Sequence, residues 1–116
     1  MVEYEAQKEK AKQLFLSQSY TAAYDAYKAC LDVCAFKDQL VTLYSNMAMC
    51  AIKLFRYEQA FLDCECALER ARTADVDPIL MIKLRYRLAL CLTYISDYEG
   101  ASKVLNELKK HCNVHE

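Results

Sequence analysis

Two pairs of basic residues stand four positions apart, Lys8/Lys12 and Lys83/Arg87. On a helix this spacing sets like charges one turn apart on one face, which costs an isolated helix about 0.2–0.5 kcal/mol per pair. Cations held side by side can grip an anion through charge-assisted hydrogen bonds. The stretch 78–95 contains Lys83, Arg85 and Arg87 and no acid, where a sequence shaped only by folding would interleave Glu. Taken alone, these residues fit a solvated basic face as well as an anion-binding one.

The other reactive side chains point to no chemistry of their own. The chain has seven cysteines, Cys30, Cys34, Cys50, Cys64, Cys66, Cys91 and Cys112, an odd count that suits small reduced core residues. No CxxC occurs; Cys30 and Cys34 are expected on one helix face, one turn apart, and no structural metal is expected from them. His111, Cys112 and His115 in HCNVH look more like a ligand set, but they sit where a chain end frays, so a bland tail is expected. No nucleophile–base constellation is visible, which argues against an enzyme. No cofactor is implied.

Composition then limits the scaffold. The 116 residues are 55% hydrophobic and 27% charged, with one Gly and one Pro. Sandwiches, barrels and doubly wound sheets need many turn residues, and glycine-rich phosphate loops need glycines. An all-α protein remains, as a single domain over 1–116. The net charge of −1 argues against a general nucleic-acid binder, and no apolar run is long enough to span a membrane. The charged start MVEYEAQKEKAKQ has no apolar signal core. A cytoplasmic location is expected, with the nucleus equally compatible.

Internal repeats organise the chain. Tyr20-Ala23-Tyr27-Cys30, Tyr57-Ala60-Cys64-Ala67 and Tyr98-Ala101-Leu105-Leu108 share one pattern at spacings of 37 and 41 residues. Each follows a stretch with its own helical apolar period. The pattern predicts six helices at about 2–17, 20–34, 39–54, 57–72, 78–95 and 97–111, with short links that make paired helices antiparallel. Asp77 and Pro78 provide an N-cap and a proline at the first helical position. Asp97 and Asp38 are expected to cap the sixth and third helices.

Helix–turn–helix units with this alanine pattern resemble tetratricopeptide repeats. The resemblance covers nearly the whole chain, as repeats at about 4–37, 41–74 and 82–115. It implies a right-handed superhelical array with a concave groove lined by the first helix of each pair. Those helices carry charges of 0, +1 and +3, a total of +4, leaving −5 elsewhere, so the groove is expected to be the basic side. No residues remain for a closing helix. The last helix is therefore expected to expose apolar surface at Val104 or Leu108, or to hand it to a partner.

Three segments carry a narrower resemblance. QKEKAKQLF (Gln7–Phe15), LYSNMAMCAIKL (Leu43–Leu54) and KLRYR (Lys83–Arg87) are similar to the clamp segments of chaperone-binding tetratricopeptide domains. Lys8, Asn46, Lys83 and Arg87 match four of the five positions of a dicarboxylate clamp. Lys12 stands where the fifth is usually asparagine, and Ala11 where a Gly commonly precedes it. The resemblance implies a site for the C-terminal EEVD of heat-shock protein 90 and 70 chaperones. Lys8, Lys12 and Asn46 would hold the α-carboxylate, and Lys83 and Arg87 the aspartate side chain. Phe15, Met49 and Ile52 would shape an apolar pocket for the Val of that motif, though ordinary inter-helix packing explains these three equally well. Lys12 can reach the same carboxylate with a stronger charge, so binding is expected to persist. The start of the chain, the YSNMAM segment and the long link before KLRYR further resemble the small fungal subunits that pair with a PIH-domain protein and RuvB-like ATPases. That likeness implies an adaptor between chaperone and assembly machinery.

Overall fold

The computed structural model describes residues 2–95 and 97–112. Six helices follow one another: α1 Val2–Leu16, α2 Tyr20–Cys30, α3 Lys37–Lys53, α4 Tyr57–Ala71, α5 Pro78–Tyr94 and α6 Tyr98–Cys112. No strand occurs among the described residues. Each helix packs on the next, and α3 also touches α5. The result is three stacked hairpins whose first helices share one side.

Small residues let the helices approach. Ala23, Ala60 and Ala101 of the repeated signature are all buried. A second alanine series, Ala11, Ala48 and Ala89, is buried on α1, α3 and α5 at the same spacings of 37 and 41. One methyl group per contact keeps neighbouring helices close, so that larger side chains on either side interlock. Between the first two hairpins the lock is polar: the Tyr24 hydroxyl donates to Asp63 Oδ2 at 2.9 Å, and Gln59 Nε2 to Asp63 Oδ1 at 3.1 Å.

The helix ends follow the local chemistry with two corrections. Asp77 Oδ1 accepts from the Ile79 N–H at 2.9 Å ahead of Pro78, and Asp97 Oδ1 accepts from the Gly100 N–H at 2.9 Å. Asp38, however, does not cap α3. That helix begins at Lys37, and the Gln39 side chain reaches back to the N–H groups of Ala35 and Phe36 at 2.8 and 3.2 Å. Asp38 sits inside the first turn, where its charge complements the helix dipole. The second correction is that α2 stops at Cys30, not 34. The N–H groups of Leu31, Asp32 and Val33 bond three residues back instead of four, which tightens and ends the helix. Cys30 and Cys34 therefore share no helix face: Cys30 is buried in α2 and Cys34 lies in the link to α3.

The last helix also differs from expectation. Leu108 is buried and Val104 packs against the core of α3–α5. Only Leu105 is left out among these, 47% exposed, at the position that Tyr27 and Cys64 fill in the buried interior of the other repeats. The strong amphipathicity of α6 puts Ser102, Lys103, Asn106 and Lys109 outward, so the helix presents a largely polar face beside Leu105.

Candidate peptide-binding groove

The face of α1 formed by Glu5, Lys8, Glu9, Lys12, Phe15 and Leu16 follows the 3.6-residue period and opens onto α3. With Tyr27, Asn46 and Met49 it lines a cleft of about 450 Å³. The Lys8 ammonium stands 5.6 Å from the centroid of the Tyr4 ring, a cation–π distance. Phe15 packs edge-on against Tyr20 with centroids 5.2 Å apart, which steadies the apolar end of the cleft.

A second cleft, of about 270 Å³, lies between α3 and α5. Met49, Ile52 and Leu90 make its apolar surface, and Lys53, Lys83 and Arg87 surround it together with Tyr86. Met49 belongs to both clefts and forms the wall between them. Lys83, Tyr86, Arg87 and Leu90 share one face of α5 because they recur at three- and four-residue steps.

Arg87 is the most tightly held cation here. Its guanidinium donates to the Ser45 carbonyl oxygen at 3.2 Å and to the Ser45 hydroxyl, and rests 3.6 Å from the Met49 sulfur. Burial lowers its pKa from the ordinary value, yet a guanidinium stays charged at any working pH. Nη1 is thus fixed to Ser45 and Nη2 donates to the Met49 sulfur, both on α3, while the side chain also lines the cleft. Below it lie the buried thiols of Cys50 and Cys64. Burial pushes the Cys50 thiol up to about 11, which keeps it neutral and unreactive beneath the groove.

Every residue assigned from sequence lies in one of these clefts. Lys8, Lys12, Phe15, Asn46 and Met49 line the first, and Met49, Ile52, Lys83 and Arg87 the second. The charge is divided unevenly between the two clefts, as the helix totals of 0, +1 and +3 lead one to expect. Glu5 and Glu9 share the first cleft with Lys8 and Lys12, so its formal charge cancels, whereas the second cleft has three cations and no acid. Arg85 does not contribute, because it turns to the opposite side of α5 toward Glu65 and Glu69 of α4. Sequence reasoning passed over Lys53, which stands one turn beyond Met49, and Ser45. The first was legible as a helical neighbour; nothing local marks the second. His111 and Cys112 end α6, but their side chains and all of His115 lie outside the described residues. Among the described residues no group of three His, Cys, Asp or Glu side chains is placed to hold a metal ion.

No protein-family model matches the chain. Sperm-associated antigen 1 of Mus musculus is 36% identical over 66 residues, covering 57% of this chain and 7% of that protein. Its Homo sapiens counterpart is 30% identical over 105 residues, 90% of this chain and 10% of that one. Protein unc-45 homolog B of Mus musculus is 34% identical over 96 residues, 83% of this chain and 10% of that protein. The chain therefore spans a tenth or less of these curated relatives. Among solved structures, the TPR2B domain of yeast Sti1, in a pHsp70 complex, superposes with a TM-score of 0.78 at 24% identity, covering 95% of this chain and 80% of that one. The Hsp90 co-chaperone Cns1 from Saccharomyces cerevisiae (delta69) gives 0.81 at 22% identity, over 97% and 34%. These superpositions show the fold: the six helices form a tetratricopeptide array.

Proposed function

We propose that the chain is a non-enzymatic adaptor whose groove binds the acidic, EEVD-type C-terminus of heat-shock protein 90 and 70 chaperones. The observation that carries this reading is the division of cations between two adjoining clefts. Lys8, Lys12 and Asn46 stand in one, Lys83 and Arg87 in the other, with Met49 between them. A C-terminal aspartate offers two carboxylates a few ångströms apart, one for each cleft. Asn46 can donate to one oxygen and accept from a peptide N–H, while the cations give charge-assisted bonds of roughly 1.5–3 kcal/mol net each. Phe15 and Met49 give the Val that precedes this aspartate an apolar wall. The two superposed structures, one a pHsp70 complex and the other an Hsp90 co-chaperone, agree with this class of ligand. A PIH-domain protein is the second partner of this reading, with Leu105 on α6 as the exposed apolar contact.

Calorimetry with a peptide ending in EEVD tests the clamp. Amidating the peptide's C-terminus or introducing Lys83→Glu should each weaken binding at least about tenfold, or 1.4 kcal/mol. Equal affinity for the free and amidated peptides would instead leave a scaffold that meets another folded protein without gripping a carboxylate.

A further inference from the structure

Away from the basic clefts, the turn between α3 and α4 and the end of α5 display a ladder of aromatic rings. The Tyr57 and Tyr94 rings stack 4.2 Å apart and 8° from parallel, and Phe55 meets Tyr57 edge-on at 6.4 Å. Phe55 is 78% exposed, Tyr94 59% and Leu62 55%. They line an open cleft of about 660 Å³ that shares no residue with either basic cleft. Its two charged residues, Arg56 and Glu58, cancel.

Phe55 is the telling residue. Its φ is +60°, a left-handed conformation that glycine enters freely and a bulky side chain only at a cost. Glycine at this turn would remove both the strain and an exposed phenyl ring. Gln18 takes the same conformation, φ +65°, at the matching turn between α1 and α2, so the left-handed position belongs to the repeat. What sets Phe55 apart is an exposed phenyl ring where the first repeat has a glutamine, and an exposed aromatic cluster is evidence for a surface with a use.

We propose that this cleft binds a proline-rich segment in the polyproline II conformation. Pyrrolidine rings pack flat against aromatic faces, where the negative π-surface meets polarised C–H groups. A polyproline II chain has no internal hydrogen bonds, so its carbonyl oxygens seek donors, and Arg56 and the two tyrosines of the lining carry them. Proline has no N–H, so the ligand asks for few acceptors, and Glu58 is the only carboxylate among the described residues of the lining. The neutral surface gives an acidic peptide no advantage. A helical partner has its carbonyls already paired and leaves these donors unused, and among the described residues there is no strand to extend.

An NMR titration with decaproline, against a ten-residue glycine–serine peptide as control, tests the assignment. Decaproline should give saturable shifts at Phe55, Tyr57 and Tyr94, and the control should give none. Phe55→Gly should raise the melting temperature while weakening decaproline at least about tenfold. Phe55→Asn, which also tolerates the left-handed turn, should weaken it likewise. Lys83→Glu should leave the affinity within about twofold. Absence of saturation at millimolar peptide, equal binding of the control, or undiminished binding by both Phe55 variants would overturn the proposal. So would shifts at these rings that depend on protein concentration without peptide, since a second copy of the chain would then be the occupant.

Discussion

The guanidinium of Arg87 on α5 is tied to Ser45 on α3, through both the carbonyl oxygen at 3.2 Å and the hydroxyl. Ser45 is fully buried, so the pair bolts two groove helices together at the point where the proposed aspartate contact is made. A hydrogen bond to a charged group contributes about 1.5–3 kcal/mol net. Ser45→Ala should therefore lower stability by about that amount and weaken an acidic C-terminal peptide by freeing the guanidinium. Thermal unfolding and calorimetry on one sample read both effects; a stability loss with unchanged affinity would separate the bolt from the site.

Glu5 and Glu9 line the first cleft beside Lys8 and Lys12 and oppose any acidic ligand there. Glu5→Gln/Glu9→Gln should strengthen an EEVD-ending peptide by about two- to fivefold, which is 0.4–0.9 kcal/mol and typical of exposed charges. The gain should fade as salt is raised, since Debye screening acts on exposed pairs. A titration series from low to high ionic strength checks the difference between variant and parent.

Asp63 is buried, and burial raises its carboxyl pKa above the ordinary value of 3.8, against the lowering effect of the Tyr24 and Gln59 hydrogen bonds. A raised folded-state value means that the folded protein holds the proton more tightly than the unfolded chain. Its contribution to stability is fully present below 3.8 and is lost as pH rises through the folded-state value. Asp63→Asn should flatten this part of the stability–pH profile. Denaturant midpoints measured across the acidic range provide the test, and an identical slope in the variant would contradict it.

Gly100 lies under the carboxylate that caps α6: an added Cβ would stand 2.6 Å from Asp97 Oδ2 and 2.9 Å from its Cγ. Gly100→Ala gains about 1 kcal/mol of helix propensity and loses a cap of about the same size, so alone it should change stability little. In an Asp97→Ala background the clash and the cap are both gone, and Gly100→Ala should stabilise by about 1 kcal/mol. A double-mutant cycle by denaturant unfolding gives the coupling directly.

How far the sequence was legible follows from the range of each interaction. Hairpins, the alanine signature, the Asp77–Pro78 start and the Asp97 cap all depend on residues within a few positions of one another. The end of α2 was not legible, because Leu31–Val33 have ordinary helical residue types; they shift to bonds three residues back while Gln39 claims the N–H groups of Ala35 and Phe36. The basic residues could be named from sequence. Their partition could not, since it depends on which side of a packed helix each occupies.

By itself, then, the amino-acid sequence determined six helices, the caps at Asp77 and Asp97 and a repeat that stacks them, since helical period and end chemistry act over short distances. Only the tertiary structure decided that Arg85 turns away from the second cleft and that Ser45 holds Arg87. It also decided that Leu108 is buried while Leu105 is not. Those outcomes rest on contacts between helices 40 or so residues apart, where the available space and the nearest charge, not local propensity, choose the side chain's place.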